Sequence, residues 1–563
     1  MNRYIKKIIS LTAVAAILLS AFTGCTAEGE GYPIQSEEGK IYYENETHIV
    51  LSDDKITSDG KTVGTNGDIY ISDDVIYYED KDIYESGNPY GEGKDKDKHT
   101  AEEAAATTVV NITKAGTYRI SGKLSQGQIR VDLGEDAYDD ENAVVTLVLD
   151  GLDINCDIAP AVIFMNVYEC DNKWDAETAT SDVDTSKAGA NVIVADDSIN
   201  NVEGAYVAKI YKDKDGEKKL WKQDAAFYSY MSMNINGETE GSGVLNITAD
   251  NEGIGTELHL TINGGNINIY SDNDGINTNE DNVSVTTINS GNVHIIAGLG
   301  EEGDGVDSNG WLVINGGTVI SAANPKSDAG LDSDMGSYIN GGTVVALGST
   351  MNWAESNSQQ VTMNLQFGEY KDSGSAIIVA KEDGNIVFTY DPSEDEVVGS
   401  NTRQFMGAVV SCANFELGES YNVYTGGTVT GSETAGVYDT ATVTAVENAI
   451  QQGHTGGDIM MHPGGFGGKD GFDGVVHDKP QGEIPQKPEG DEFEPDRMKP
   501  NFEERQQGEV LSEENRQPMQ IPDKGTPPWD EDGVGTHDIL KPIPIFYMQD
   551  KVNNFSGVTS FAE

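Results

Sequence analysis

The stretch Ile262-Asn263-Gly264-Gly265 returns as Ile288-Asn289-Ser290-Gly291, Ile314-Asn315-Gly316-Gly317 and Ile339-Asn340-Gly341-Gly342. The Ile positions are spaced by 26, 26 and 25 residues. Each copy leads into an alternating strand pattern, as in Asn266-Ile267-Asn268-Ile269 and Asn292-Val293-His294-Ile295. A second motif keeps phase with the first. It reads Glu252-Gly253-Ile254-Gly255-Thr256-Glu257, Asp274-Gly275-Ile276-Asn277-Thr278-Asn279, Asp304-Gly305-Val306-Asp307-Ser308-Asn309 and Ala329-Gly330-Leu331-Asp332-Ser333-Asp334. A period of this size, filled by short strands without helical periodicity, predicts a solenoid. Three strands of about four or five residues plus turns use up such a repeat. The predicted fold class is therefore all-β, a right-handed parallel β-helix. Gly is expected to supply positive-φ turns. Ile254, Ile276, Val306 and Leu331 are expected to stack inward. Asn263, Asn289, Asn315 and Asn340 are expected to form an amide ladder at one corner.

Stacking would place equivalent residues about 4.8 Å apart. Asn277, Asp307 and Asp332 then form one column, Asn279, Asn309 and Asp334 a second, and Asp274 and Asp304 a third. Between 251 and 350 there are 13 Asp and Glu and one basic residue, Lys326, so local ion pairing does not neutralise this face. Ca²⁺ takes about six to eight oxygen ligands from carboxylates, amides and carbonyls, which such a surface offers. The candidate ligands are Glu252, Glu257, Asp272, Asp274, Asn277, Asn279, Asp304, Asp307, Asn309, Asp328, Asp332 and Asp334. The plainer reading is that these are solvated turn residues, since Asp, Asn and Gly favour turns in any case. No EF-hand loop matches, because Tyr270 and Gly300 stand where its first Asp is needed. His259 and His294 lie in strand patterns and lack the spacing of a zinc site.

The whole chain has 563 residues, with 36 Lys and Arg against 95 Asp and Glu, a net charge of −59. That balance works against nucleic-acid and anionic-membrane binding, which need clustered Lys and Arg. It fits a soluble surface that attracts cations.

Residues 1–25 read as a targeting segment: Arg3, Lys6 and Lys7, then an apolar run from Ile8 to Ala21. The run ends in Phe22-Thr23-Gly24-Cys25, which resembles a bacterial lipobox with Cys25 as the lipidated residue. The expected location is extracytoplasmic, lipid-anchored to the outer face of the cell membrane, with the lipid as the only membrane contact. Cys156, Cys170 and Cys412 remain. Export permits a Cys156–Cys170 bridge, and small buried thiols are the simpler reading.

Residues 26–104 are acidic, with short strand signals such as Ile69-Tyr70-Ile71. The β-helix is expected over 105–350. Ala441–Gln452 is the one stretch with a helical reading. From 451 onward the composition changes: 12 of 17 Pro lie there, with 22 acids and 10 bases. Such a segment is expected to be mostly disordered, though the apolar run Ile543-Pro544-Ile545-Phe546-Tyr547 is suited to docking.

Further motifs occur in a fixed order: Ile112-Thr113-Lys114-Ala115-Gly116-Thr117-Tyr118-Arg119-Ile120-Ser121-Gly122, Val148-Leu149-Asp150-Gly151-Leu152-Asp153-Ile154 and Met233-Asn234-Ile235-Asn236-Gly237. With the Asp-Gly-Ile repeats they make roughly 105–430 similar to bacterial carbohydrate-binding lipoproteins that have a calcium-containing, polysaccharide-lyase-like right-handed β-helix. The resemblance implies binding to plant cell-wall polysaccharide, such as cellulose or pectic acid, with Ca²⁺ in the fold. It also implies a small β region after the helix, here 351–450, where Ser375–Val379 and Tyr421–Tyr424 fit. The chain departs from the pattern in a long polar insertion within 171–224, made of Asp171 to Thr185 and then Lys212 to Lys219, and in its tail.

The first functional reading is a non-catalytic binder, with Ca²⁺ bridging protein carboxylates to uronates. Trp311 and Trp353 are candidate sugar-stacking rings, or else ordinary packing residues. A Ca²⁺-dependent lyase is the second reading. It needs a basic group beside the bound uronate, and Lys326 is the candidate in that window. A structural adhesin or spacer is the third.

Overall fold

The computed structural model describes residues 33–35, 41–79, 93–171, 175–211, 218–349, 352–355, 357–392, 403–455, 545–546 and 552–558. The expected targeting segment, Cys25 and most of the Pro-rich tail lie outside these residues. The chain divides into two compact units, Met1–Glu46 and Thr47–Glu563. In the first, Pro33–Gln35 pairs antiparallel with Ile41–Tyr43, and the Glu46 carboxylate accepts the Tyr43 N–H at 3.1 Å.

The second unit is nearly all β. Its described helices are the short α-helix Ala101–Ala105 and two 3₁₀ turns. Thr100 caps that α-helix by accepting the Glu103 N–H, and the Glu103 carboxylate accepts the Thr100 N–H in return.

Between 108 and 348, apart from the antiparallel hairpin of Val207–Tyr211 and Lys218–Gln223, the described strands fall into three parallel ladders, and each coil of chain gives one strand to each. The last coils of the first ladder are Leu260–Ile262, Val285–Ile288, Trp311–Ile314 and Gly336–Ile339, paired parallel in sequence order. The second ladder runs through Asn266–Ser271, Asn292–Ile296, Thr318–Ala322 and Thr343–Gly348. The third runs through Glu252–Thr256, Ile276–Thr278, Val306–Ser308 and Leu331–Ser333. The long strands Gly116–Leu124 and Val145–Cys156 belong to both the first and second ladders. They bend at Gly122 and Gly151, which have φ of +92° and +85°, and so join those two ladders into one large, nearly closed sheet.

The core lies inside the coils. Ile254, Ile276, Val306 and Leu331 sit in register and are at most 1% exposed, as the repeat predicts. Alternate residues of each strand point inward, so apolar residues spaced by two build a continuous column. Both ends are covered. Ile69–Ser72 lies antiparallel on Thr108–Ile112 at one end. Phe405–Ser411 lies antiparallel on the last strand, Thr343–Gly348, at the other. These strands satisfy edge groups that would otherwise template further pairing.

Beyond the coils, Ile377–Lys381, Ile386–Tyr390 and Tyr421–Thr425 form the centre of a seven-stranded, mostly antiparallel sheet.

Two local expectations need correction. The Gly of the acid-Gly-aliphatic motif is absent from the positive-φ residues, whereas Gly265, Gly291, Gly317 and Gly342 of the other motif have φ between +79° and +93°. Gly275 and Gly305 are required by space instead: a Cβ at Gly305 would lie 1.8 Å from Ser321 Oγ and 2.4 Å from the Gly330 carbonyl oxygen. Within 171–224, the two expected polar runs flank regular coil in the sequence. Ala190–Val194 and Ile199–Gly204 are regular coil strands, so the extra chain is split between the approach to 190 and the hairpin Val207–Tyr211 with Lys218–Gln223. The other correction is that Ala441–Gln452 contains strands Ala445–Glu447 and Ile450–Thr455 rather than a helix. Their partners, Thr428–Thr430 and Tyr421–Thr425, decide this over local propensity.

The strand Ile450–Thr455 crosses the expected start of the tail at 451. Ile545–Phe546 pairs with its end, and Val552–Val558 pairs with Thr362–Lys371.

Candidate functional site

The third ladder brings part of the predicted ligand set together. Asn277, Asp307 and Asp332 are direct register partners. Asn277 and its neighbours Glu252 and Asp274 are buried. Asn277 Nδ2 donates to Glu252 Oε1 at 3.1 Å and to Asp274 Oδ2 at 3.3 Å. Its Oδ1 is buried without a hydrogen-bond partner. Asp274 Oδ1 accepts the Asp304 N–H at 2.7 Å, and Asp304 Oδ1 accepts the Ala329 N–H at 2.5 Å. Each carboxylate thus caps the next coil while adding charge to the stack.

Burial pushes the Asp304 carboxyl up to about 8, and the charges of Asp274, Asp332 and Asp307 push it the same way. The Ala329 N–H opposes them. Desolvation without a cation disfavours the ionised form.

The remaining candidates lie elsewhere. Glu257 accepts a short hydrogen bond from the Tyr228 hydroxyl. Asp272 adds to the negative field that, after burial, raises the Asp250 carboxyl. Asp328 Oδ2 accepts the Gly303 N–H at 2.8 Å. Asn279 and Asn309 follow their strands, linked by Asn309 Nδ2 donating to the Asn279 carbonyl at 2.9 Å, and Asp334 is exposed. Among the described residues, no three His, Cys, Asp or Glu side chains are gathered so as to hold a metal ion. Amide and backbone oxygens would have to complete any coordination here.

Trp311 is 8% exposed, and Trp353 packs partly buried against the main core. Trp311 is thus a packing residue, while part of Trp353 remains accessible. Lys326 is exposed in the turn between a second-ladder and a third-ladder strand. Cys156, Cys170 and Cys412 are free thiols, and burial pushes Cys156 and Cys412 up to about 11.

Two features escape sequence reasoning. His259 Nδ1 accepts the Val285 N–H at 3.0 Å, which leaves Nε2 as the donor to Asp171 at 3.1 Å. Both nitrogens are engaged, so His259 ties the chain entering the 171–189 excursion to the coils. The other is a groove of ≈ 660 Å³ on the outer face of the first ladder, between Ser181–Ser186 and Gln359. Along it runs the predicted amide ladder. Asn263 donates to Asn236 at 3.0 Å; Asn289, Asn315 and Asn340 each donate to the preceding Asn at 2.9 Å.

A family profile described as carbohydrate-binding domain-containing protein matches residues 106–414, more than half of the chain. The chain belongs to that family. A carbohydrate-binding domain-containing protein of Acetivibrio thermocellus is 31% identical over 178 residues, 31% of this chain and 50% of the relative. The chain thus spans about half the length of that relative. A solved structure, the polysaccharide lyase-like protein from C. thermocellum as a gadolinium derivative, is 22% identical with a TM-score of 0.29. It covers 55% of this chain and 97% of its own. No described helix is long and apolar enough to cross a membrane.

Proposed function

We propose that this protein is a non-catalytic, lipid-anchored surface protein that binds plant cell-wall polysaccharide through a right-handed parallel β-helix containing Ca²⁺. Membership of a carbohydrate-binding family supports the glycan. The observation that carries the cation is the buried oxygen stack of the third ladder, with Asn277 Oδ1 unpartnered beside Asp274 and Glu252. An all-oxygen donor set suits a hard cation. Glu252, Asp274, Asn277 and Asp304, with Asp307 and Asp332 in the same stack, would hold the ion. It would offset the charge of the stack and offer open positions to a uronate. Anchoring falls to Cys25, and Cys25→Ser is expected to move the protein from the membrane fraction to the medium.

A glycan array with and without Ca²⁺ tests the binding. Selective capture of a cell-wall glycan supports the reading, with uronate-containing glycans retained only when Ca²⁺ is present. Silence on every glycan in both conditions contradicts it and favours a spacer.

A further inference from the structure

The groove on the first ladder differs in chemistry from the acidic stack. Its floor is the register row Thr261, Thr287, Val313 and Tyr338, one residue from each coil. Beside the floor stand the Asn side chains of the amide ladder. One wall is Ser181–Ser186, fixed where Thr185 Oγ1 donates to Thr261 Oγ1 at 2.7 Å and the Thr185 carbonyl accepts from Asn234 Nδ2 at 2.8 Å. At the far end the Gln359 N–H donates to Asn340 Oδ1 at 3.2 Å and closes the ladder. From Asn234 to Asn340 the groove spans five coils, or about 19 Å at the usual strand spacing.

In a chain of net charge −59, the carboxylates lining this groove are Asp182 and Asp184, both on the wall and both exposed. The floor and the amide ladder carry none. An Asn amide has two N–H donors and two acceptor lone pairs. Within the ladder each interior Asn spends one of each on its neighbours. One donor and one acceptor per coil remain, the pairing that a hydroxyl group can match. Val313 and the half-buried ring of Tyr338 supply apolar area for the C–H face of a sugar ring. The groove volume is in the ordinary range for a ligand site, roughly 300–1,000 Å³. A polyanionic chain would meet Asp182, Asp184 and the negative field of the whole protein without a cation to offset them.

We infer that this groove binds an uncharged, hydroxyl-rich glycan chain lying along the coil axis, without help from Ca²⁺. The inference rests on the carbohydrate-binding reading and moves part of that binding from the acidic stack to the opposite chemistry. The protein then has two glycan surfaces: a cation-dependent one for uronates and a cation-independent one for neutral chains.

The test is calorimetric titration of the full chain with xylohexaose, cellohexaose and polygalacturonate, with and without chelator. Thr287→Trp fills the middle of the floor from an outward position. Tyr338→Ala removes the ring, and Tyr338→Phe keeps it. Wild type is expected to bind a neutral hexasaccharide equally well in chelator. Thr287→Trp should abolish that binding, and Tyr338→Ala should weaken it by about ten-fold, the scale of one good ring contact. Tyr338→Phe should restore it, which a general loss of folding would not allow. Neutral binding that survives Thr287→Trp, or that chelator removes, overturns the inference. Binding of polygalacturonate alone overturns the inference and leaves the family reading intact. Absence of all binding overturns both.

Discussion

At the scale of residues, two stacked columns behave differently because one is amide and the other acid. The amide ladder links each Asn to the next without adding charge. Each bond is solvent-exposed, so Asn289→Ala, which removes two of them, should cost about 1–2 kcal/mol in chemical denaturation. The acid stack cannot satisfy itself. Asp304 is raised from 3.8 to about 8. Between those values the folded protein keeps the proton and the unfolded chain releases it, so the stability of chelated protein falls as pH rises through that window. Melting temperatures of chelated protein should therefore drop from about pH 5 to about pH 8, and Asp304→Asn should remove most of that slope. A flat profile in chelated wild type would contradict the buried, proton-holding Asp304. Both columns were readable from the repeat, since Asn263, Asn289, Asn315 and Asn340 recur every 25 or 26 residues and Asn277, Asp307 and Asp332 hold the same place in their motif. The Asp171–His259 pair was not, because its partners are 88 positions apart and follow no period.

At the scale of elements, the coil strands are legible because each one repeats both alternation and turn chemistry. Ile276 is fully buried between Ile254 and Val306. Ile276→Ala should cost about 2–5 kcal/mol, read as a shift in denaturation midpoint. Gly305→Ala should cost about 1–3 kcal/mol or more, because its Cβ would press on the Gly330 backbone as well as on the buried Ser321 hydroxyl. Had Gly305 served only a turn conformation, its φ would be positive, and it is not among the positive-φ residues. The elements that escaped the sequence reading are those fixed by distant partners. Ala441–Gln452 is rich in residues tolerant of helix, yet Tyr421–Thr425 draws its end into a sheet. Within 171–224, polar runs on both sides hid the strand Ala190–Val194, whose alternation is regular but flanked by irregular chain.

At the scale of the whole molecule, the charge of −59 is not spread evenly in function. The third ladder concentrates buried acids in register, while the floor of the first-ladder groove is free of them. In stacked parallel ladders each coil pairs with its neighbours, so different faces can carry different chemistry without disturbing one another. The composition alone weighed against phosphate-bearing partners but did not distinguish these faces. The register did. The groove stayed hidden because its wall, Ser181–Ser186, comes from an excursion that no repeat announces. The most direct measurement is calorimetric titration of Ca²⁺ into chelator-stripped protein, with an Asp304→Asn, Asp332→Asn double variant beside it. The account predicts saturable uptake by wild type with a rise in melting temperature, both lost in the variant. No uptake and no change in melting temperature for wild type would contradict it.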